Sequence, residues 1–225
     1  MTPLSALLIL MIYSTMLVPI IAFTYSYDSV TGIASGACLL VLLAVDIFLW
    51  LYRGRMSRQG SSFIVNRGIT AGLAIGLLWV VEISINNFMA PPLPARDMID
   101  NLFWAAIALL IFALSIVCAY RTGRIKAGVE AGIWSGFASG ALACCMALSL
   151  IVFGMRFMTQ DPINIAEWAN RGPDTTAPTM VAYFAFETLA GAFLHLAVLG
   201  LLMGLLLGLL GGAIGKGVRV AANWM

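Results

Sequence analysis

Six long apolar stretches divide this chain, separated by short polar or proline-rich segments. They cover about residues 4–24, 31–52, 68–89, 101–120, 128–155 and 179–213. A helix needs roughly 20 mostly apolar residues to cross the hydrocarbon of a bilayer, and each stretch meets that length. The pattern predicts an all-α integral membrane protein, a single six-helix transmembrane bundle over residues 1–225. The last two stretches are long enough to tilt or to extend past the hydrocarbon. The first lacks a basic leader and a small-residue cleavage site, so it is read as a retained helix and not as a signal peptide. Pro19 is expected to kink it near its far end.

Charge sets the expected orientation. Arg53, Arg55, Arg58 and Arg67 lie between the second and third stretches. Arg121, Arg124 and Lys126 lie between the fourth and fifth, and Lys216 and Arg219 in the tail. These are nine of the twelve basic residues, all on one side of the predicted bundle. The opposite loops carry Arg96, Arg156 and Arg171 with Asp28, Asp97, Asp100, Asp161, Glu167 and Asp174. Basic loops stay in the cytoplasm, so both termini are expected inside.

The outer loops differ in kind. "NNFMAPPLPARDMID" has three prolines and reads as extended, with Asp97 or Asp100 capping the fourth helix. In the last outer loop, Asp161-Pro162 reads as an N-cap and first helical residue, and Arg171-Gly172 as a stop. A short helix over 162–170 is expected, lying in the outer interface through Ile163, Ile165, Ala166 and Trp168.

Glycine punctuates three spans at four-residue intervals. Gly68, Gly72 and Gly76 lie in the third, and Gly128, Gly132, Gly136 and Gly140 in the fifth. Gly200, Gly204, Gly208 and Gly212 lie in the sixth. Residues four apart share a helix face, and bare faces let helix backbones approach closely. The fifth and sixth spans run in opposite directions, so their stripes fall at matching depth. The expectation is a tightly closed inner half, packed internally; the alternative is that one stripe faces a second copy. The third and fifth stripes also match at a constant offset of 60, and "LYRGR" ends the second span as "AYRTGR" ends the fourth. This suggests a repeated helix hairpin.

Ionisable residues within spans are costly and face protein or water. Glu130 is expected to pair with Lys126, one turn away. At 1.5 Å per residue, Glu82 and Glu187 fall at one level, roughly 21 Å from the inner end of the third span and 12 Å below the outer end of the sixth. Asp46 and His195 share a lower level, roughly 23 Å below the outer surface. The expected upper tier is Glu82 with Glu187, flanked by Trp79, Asn86 and Tyr183; the lower is Asp46 with His195. Such a tier would bind a cation or a proton-coupled solute, or else fix helix registry through hydrogen bonds.

Composition narrows the classes. Hydrophobic residues make up 62% of the chain and charged residues 10%, against roughly a quarter charged in soluble domains. The net charge of +2 gives no reason to expect nucleic acid as a partner. Cys38, Cys118, Cys144 and Cys145 all lie in apolar runs without zinc-type spacing, and no metal is expected. One histidine cannot supply both axial ligands of a haem, no span holds a lysine for retinal, and no phosphate loop occurs in context. No cofactor is expected.

Ser139-Gly140 within "GFASG", together with His195, superficially resembles the serine and histidine of rhomboid proteases, which are six-helix membrane enzymes. That resemblance implies a membrane-embedded serine hydrolase. The family's serine, however, begins its fourth helix at the outer end, whereas Ser139 lies inside the fifth span, which runs the other way. The family's oxyanion residues have no counterpart in this chain. The leading expectation is a non-enzymatic multi-pass protein of a bacterial inner or plasma membrane. It would serve as an assembly subunit with protein partners or further copies of itself. A small cation-coupled transporter or ligand-binding subunit is the alternative.

Overall fold

The computed structural model describes residues 1–59, 63–172 and 176–223, with side chains omitted for 56–59. Asp174 therefore lies outside the described residues. All regular structure among the described residues is helical. Six helices are long and apolar enough to cross a membrane. They are α1 (Pro3–Tyr25), α2 (Ser29–Gln59), α3 (Phe63–Met89), α4 (Leu93–Thr122), α5 (Ile125–Met158) and α7 (Met180–Ala222). The short α6 (Pro162–Asn170) lies between the last two. A multi-pass membrane protein follows from these six helices. The end holding the α4–α5 turn is called the basic end below, and the end holding α6 the acidic end.

Local chemistry fixes the helix ends. Thr2 caps α1 by accepting from the Ser5 amide, and Thr179 caps α7 by accepting from Ala182. Asp28 accepts from the Thr31 amide (2.7 Å) and hydroxyl (2.8 Å) at the start of α2. These bonds, the backbone one foremost, hold the Asp28 carboxyl below the ordinary aspartate range. Asp161 caps α6 through the Ile163 amide at 3.0 Å, with Pro162 in the first turn. Gly123, at φ +70°, ends α4 in the left-handed conformation that glycine adopts without strain. Arg219 of α7 donates to the Tyr120 and Arg121 carbonyls at 3.2 and 2.8 Å, a cation placed on the negative end of α4.

The fourth helix starts earlier than its acids suggest. It begins at Leu93 with Pro92 as N-cap, so Asp97 and Asp100 lie inside it. Proline suits a helical first turn, because its φ is already helical and its missing N–H would have no intrahelical partner there. The reversal from α3 is thus compressed to Ala90–Pro92, with Ala90 at φ 45°. Three spans carry π-helical turns: Ile85–Met89 at the end of α3, Leu150–Gly154 in α5 and His195–Leu202 in α7.

The buried centre of the bundle is α5. Within its most apolar window 72% of residues are buried, against 17% for α2. Helix α5 packs on α1, α3, α4 and α7, whereas α2 packs chiefly on α1. Glycine explains the closeness. Along the α5–α7 seam, Gly128 opposes Gly212, Gly132 opposes Gly208, Gly136 opposes Gly204 and Gly140 opposes Gly200. A Cβ on the α5 member of each pair would reach the partner's Cα at 2.6, 2.6, 2.8 and 2.9 Å, respectively. Real side chains do not fit at such distances, so glycine is required along the whole seam.

Helix α3 meets α5 on another face and runs parallel to it. A Cβ on Gly68 would lie 2.9 Å from Trp134 Cβ, one on Gly72 2.7 Å from Ser135 Cα, and one on Gly76 2.9 Å from Leu142 Cβ. A further small-residue seam joins α7 to α4 through Gly211 and Gly215. A Cβ on Gly211 would lie 2.8 Å from Ser115 Cβ, and one on Gly215 3.0 Å from Ala119 Cβ. Three seams thus bring α3, α4, α5 and α7 to backbone distance, and dispersion across these contacts stands in for the hydrophobic drive that lipid cannot supply.

Candidate functional site

The densest polar arrangement lies at the acidic end, where α3, α4 and the start of α6 converge. Asn86, in the π-helical turn of α3, donates through Nδ2 to Glu82 Oε1 at 2.7 Å and to Asp100 Oδ1 of α4 at 2.6 Å. Arg96 of α4 donates to the Asn86 carbonyl at 3.0 Å and to Asp161 Oδ2 at 2.6 Å. Asp161 then caps α6 with its other oxygen. Its side chain is 1% exposed and that of Arg96 16%, so this is a largely buried ion pair. Glu82 and Asn86 are buried, and Asp100 is half-buried. One arginine thus joins the α3–α4 turn to the last loop, and one amide bridges two carboxyl groups. The Asn86 Oδ1 and the Arg96 Nε are enclosed and have no hydrogen-bond partner.

Below this network stands an aromatic column. Trp79, 1% exposed and three residues before Glu82, packs edge-on against Trp104 of α4 (5.5 Å between ring centroids) and His195 of α7 (4.8 Å). His195 Nδ1 donates to the Gly191 carbonyl at 2.7 Å. The histidine opens the long π-helical turn of α7, and its own carbonyl faces Gly140.

The partners of the remaining ionisable residues differ from the expected tiers. Glu82 meets Asn86 and, through it, Asp100; Glu187 is exposed and neighbours Glu167 of α6. Tyr183 donates to that same Glu167 at 2.9 Å. Asp46 accepts from Thr15 of α1 at 2.7 Å, while its Oδ1 is enclosed without a partner. Among the described residues no hydrogen bond joins Glu82 to Glu187 or Asp46 to His195. Depth counted at 1.5 Å per residue fixes a level along the helix axis but not a direction around it. Asp46 turns to α1 because α2 packs chiefly there.

The serine–histidine pair is not formed. Ser139 is 1% exposed, its Oγ has no hydrogen-bond partner, and the His195 Nδ1 proton goes to a backbone carbonyl. A nucleophile needs a base within hydrogen-bond reach, and Ser139 has none. Lys126 and Glu130 form the expected pair at 3.7 Å, well exposed and weak. Among the described residues no group of three or more His, Cys, Asp or Glu side chains is gathered for a metal. The four cysteines are free thiols.

Sequence reading missed Arg96, Asp100 and Asp161 as parts of the network, taking Arg96 as a loop charge, Asp100 as one of two candidate caps of the fourth helix and Asp161 as an N-cap alone. The available signal was Pro94: it permits an early start for α4, which carries Arg96 and Asp100 onto the helix.

Two open spaces flank these features. A cleft of about 600 Å³ lies between the α3–α4 turn and α6, lined by Ala90, Pro92, Asp161, Ile163, Glu167 and Asn170. An apolar groove of about 480 Å³ lies between α2 and the core, lined by Val41, Val45, Phe48, Trp134, Phe137 and Leu201. No family model, curated protein or solved structure matches this chain.

Proposed function

We propose that this protein is a non-enzymatic subunit of a larger membrane assembly, docked through α2, with both termini in the cytoplasm. The observation that carries this reading is the apolar groove beside α2. Its lining is entirely hydrophobic in the residues named above, and it lies within the membrane-spanning segments. Gly32 and Gly36 of α2 have nothing within 4 Å of a would-be Cβ, in contrast to the glycines of α3, α5 and α7 that face neighbouring backbones. The occupant is an apolar transmembrane helix of a partner protein, which can approach α2 at those bare positions. The rigid α5-centred core supports a scaffold role, because glycine seams leave α3, α5 and α7 no room for side-chain rearrangement. The stripes on those helices are consumed within the bundle, so they are not the docking surface. The positive-inside distribution supports the orientation, and α6 with its exposed Ile165 is read as resting on the outer interface.

Mild extraction from the native membrane, native electrophoresis and identification of the co-migrating chains test the proposal. Ala44 of α2 also lines the groove, and Ala44→Phe and Gly36→Leu are expected to release the partner while leaving the thermal unfolding midpoint of the isolated protein unchanged. Lipid alone in the groove, with the same particle size for wild type and both variants, would remove the docking role.

A further inference from the structure

We propose that the cleft between α1 and α2 at the basic end is a binding site for an anionic phospholipid, with the lipid phosphate on Arg53 and an acyl chain along α1. This goes beyond the scaffold reading and does not depend on it, since the cleft shares no lining residue with the apolar groove beside α2.

The argument begins with the shape of the cleft and the order of its lining. It has a volume of about 660 Å³ and is lined by Thr2, Ser5, Leu8, Ile9 and Ile12 from the first turns of α1 and by Arg53 of α2. The polar groups come first, at the basic end, and the aliphatic side chains follow toward the middle of the bundle. Leu8 is buried, whereas Ile9 and Ile12 are 57% and 42% exposed. From Thr2 to Ile12 a helix rises about 15 Å, half of the roughly 30 Å of bilayer hydrocarbon. The cleft is therefore as deep as one leaflet, cationic at the interface and apolar below it. One turn beyond Ile12, Thr15 donates to Asp46 of α2 at 2.7 Å and ties the two helices together. The slot is thus closed at its deep end.

Charge selects the headgroup. Arg53 is exposed, and among the described residues it meets no carboxylate and makes no hydrogen bond. Glu130, the one acid close to that end in sequence, is held by Lys126. A guanidinium at the membrane interface without a protein carboxylate is matched by a phosphate, whose oxygens its planar donors meet in pairs. Basic pockets between transmembrane helices hold anionic headgroups in this way. The hydroxyls add a second donor. Thr2 Oγ1 and Ser5 Oγ lie 2.7 Å apart, and Thr2 Oγ1 also accepts from the Ser5 amide at 3.2 Å. The contact between the two hydroxyls uses one of their two protons, so the other is available to a phosphate oxygen.

The test uses the full-length protein in a neutral detergent. It is titrated with dioleoylphosphatidylglycerol or dioleoylphosphatidylcholine, and bound lipid is counted by native mass spectrometry. Phosphatidylglycerol is expected to bind saturably at a concentration about fivefold lower than phosphatidylcholine, the factor that corresponds to roughly 1 kcal/mol for one basic group facing an anionic headgroup. Arg53→Gln should abolish this preference and Arg53→Lys should keep part of it. Both variants should unfold at the parent's midpoint in detergent alone, because Arg53 is exposed and unpaired. Lys216→Gln removes the same charge from an exposed position at the same end and should leave the preference intact. Ile9→Trp, in the apolar half, should weaken both lipids. Glycerol phosphate, a headgroup without chains, should not displace the lipid even in large excess. Equal affinity of the parent for the two lipids would overturn the proposal, as would a preference that survives Arg53→Gln. An equal loss in Lys216→Gln would overturn it by assigning the effect to the general potential of the basic end. Displacement by glycerol phosphate, or unaltered lipid binding in Ile9→Trp, would overturn the seating of the acyl chain and leave a phosphate site in its place.

Discussion

Two segments of this protein have nearly the same sequence and opposite surroundings. Residues 32–37 of α2 read Gly-Ile-Ala-Ser-Gly-Ala, and residues 136–141 of α5 read Gly-Phe-Ala-Ser-Gly-Ala. In α5 both glycines face the backbone of α7 and the serine is buried against α3. In α2 both glycines face open space, and only Ser35 is turned inward, with its hydroxyl bonded to the Thr31 carbonyl at 2.9 Å. A small-residue motif therefore permits close packing without specifying it. What decides is whether a neighbouring helix brings a complementary bare face at the same depth, as α7 does for α5.

The contrast can be tested from its strongest end. Gly140→Leu forces a side chain into the backbone of His195 and Gly200, so its cost should exceed the roughly 1–3 kcal/mol of ordinary overpacking and abolish the folded monomer. Gly36→Leu, at the equivalent small-residue position of α2, should leave detergent-solubilised monomer yield and unfolding midpoint as they are. Equal damage from both would erase the distinction between the two segments. Next in size is Trp79→Ala. It removes the ring that touches Trp104 and His195 from a fully packed site, for an expected loss of about 3–5 kcal/mol in a denaturation series. Arg96→Met should cost about 2–3 kcal/mol, since it leaves Asp161 buried without its charged donor. That loss should also be seen as faster proteolysis of the loop around α6, with the α5–α7 seam still protected.

Thr15→Val, which removes the hydrogen bond that Asp46 accepts from α1, should cost about 1 kcal/mol, in keeping with intramembrane polar contacts. The smallest effect belongs to the start of α2. The Asp28 carboxyl is held below its ordinary range, so its contribution is complete above the unfolded-state value and disappears as pH falls through the lower folded-state value. Asp28→Asn should flatten that acid limb of the unfolding-midpoint profile by lowering the neutral plateau slightly, so that variant and parent converge at low pH.

Helix number and the approximate limits of the spans were legible in the sequence because apolar length alone encodes them. The short α6 was legible too, since Asp161-Pro162 combines a side-chain acceptor with a preset φ. The depth match of the α5 and α7 stripes followed from antiparallel counting, and opposed glycines stand at each of those positions. The polar partners were not legible. Glu82 and Glu187 share a level by counting, yet Glu82 turns to Asn86 and Glu187 to the loop helix. Rotation about a helix axis depends on the neighbours a helix meets, which a count of levels along the axis leaves out. The α4–α7 seam through Gly211 and Gly215 was not legible, because adjacent glycines of one helix face different neighbours and the spacing alone does not say which face meets which helix.

The paired order of glycines along α5 and α7 has a bearing on how this chain tolerates changes in length. Each residue advances a helix by about 100°, so inserting a single amino acid between Gly132 and Gly136 would swing half of the stripe away from α7 and bring bulky neighbours into the gap. The segment joining the two helices faces no such angular constraint. Its length can drift by a residue or two, provided that Asp161 still reaches Arg96. Within one stretch of polypeptide, then, insertions and deletions should be confined to the connector and excluded from the rods it connects.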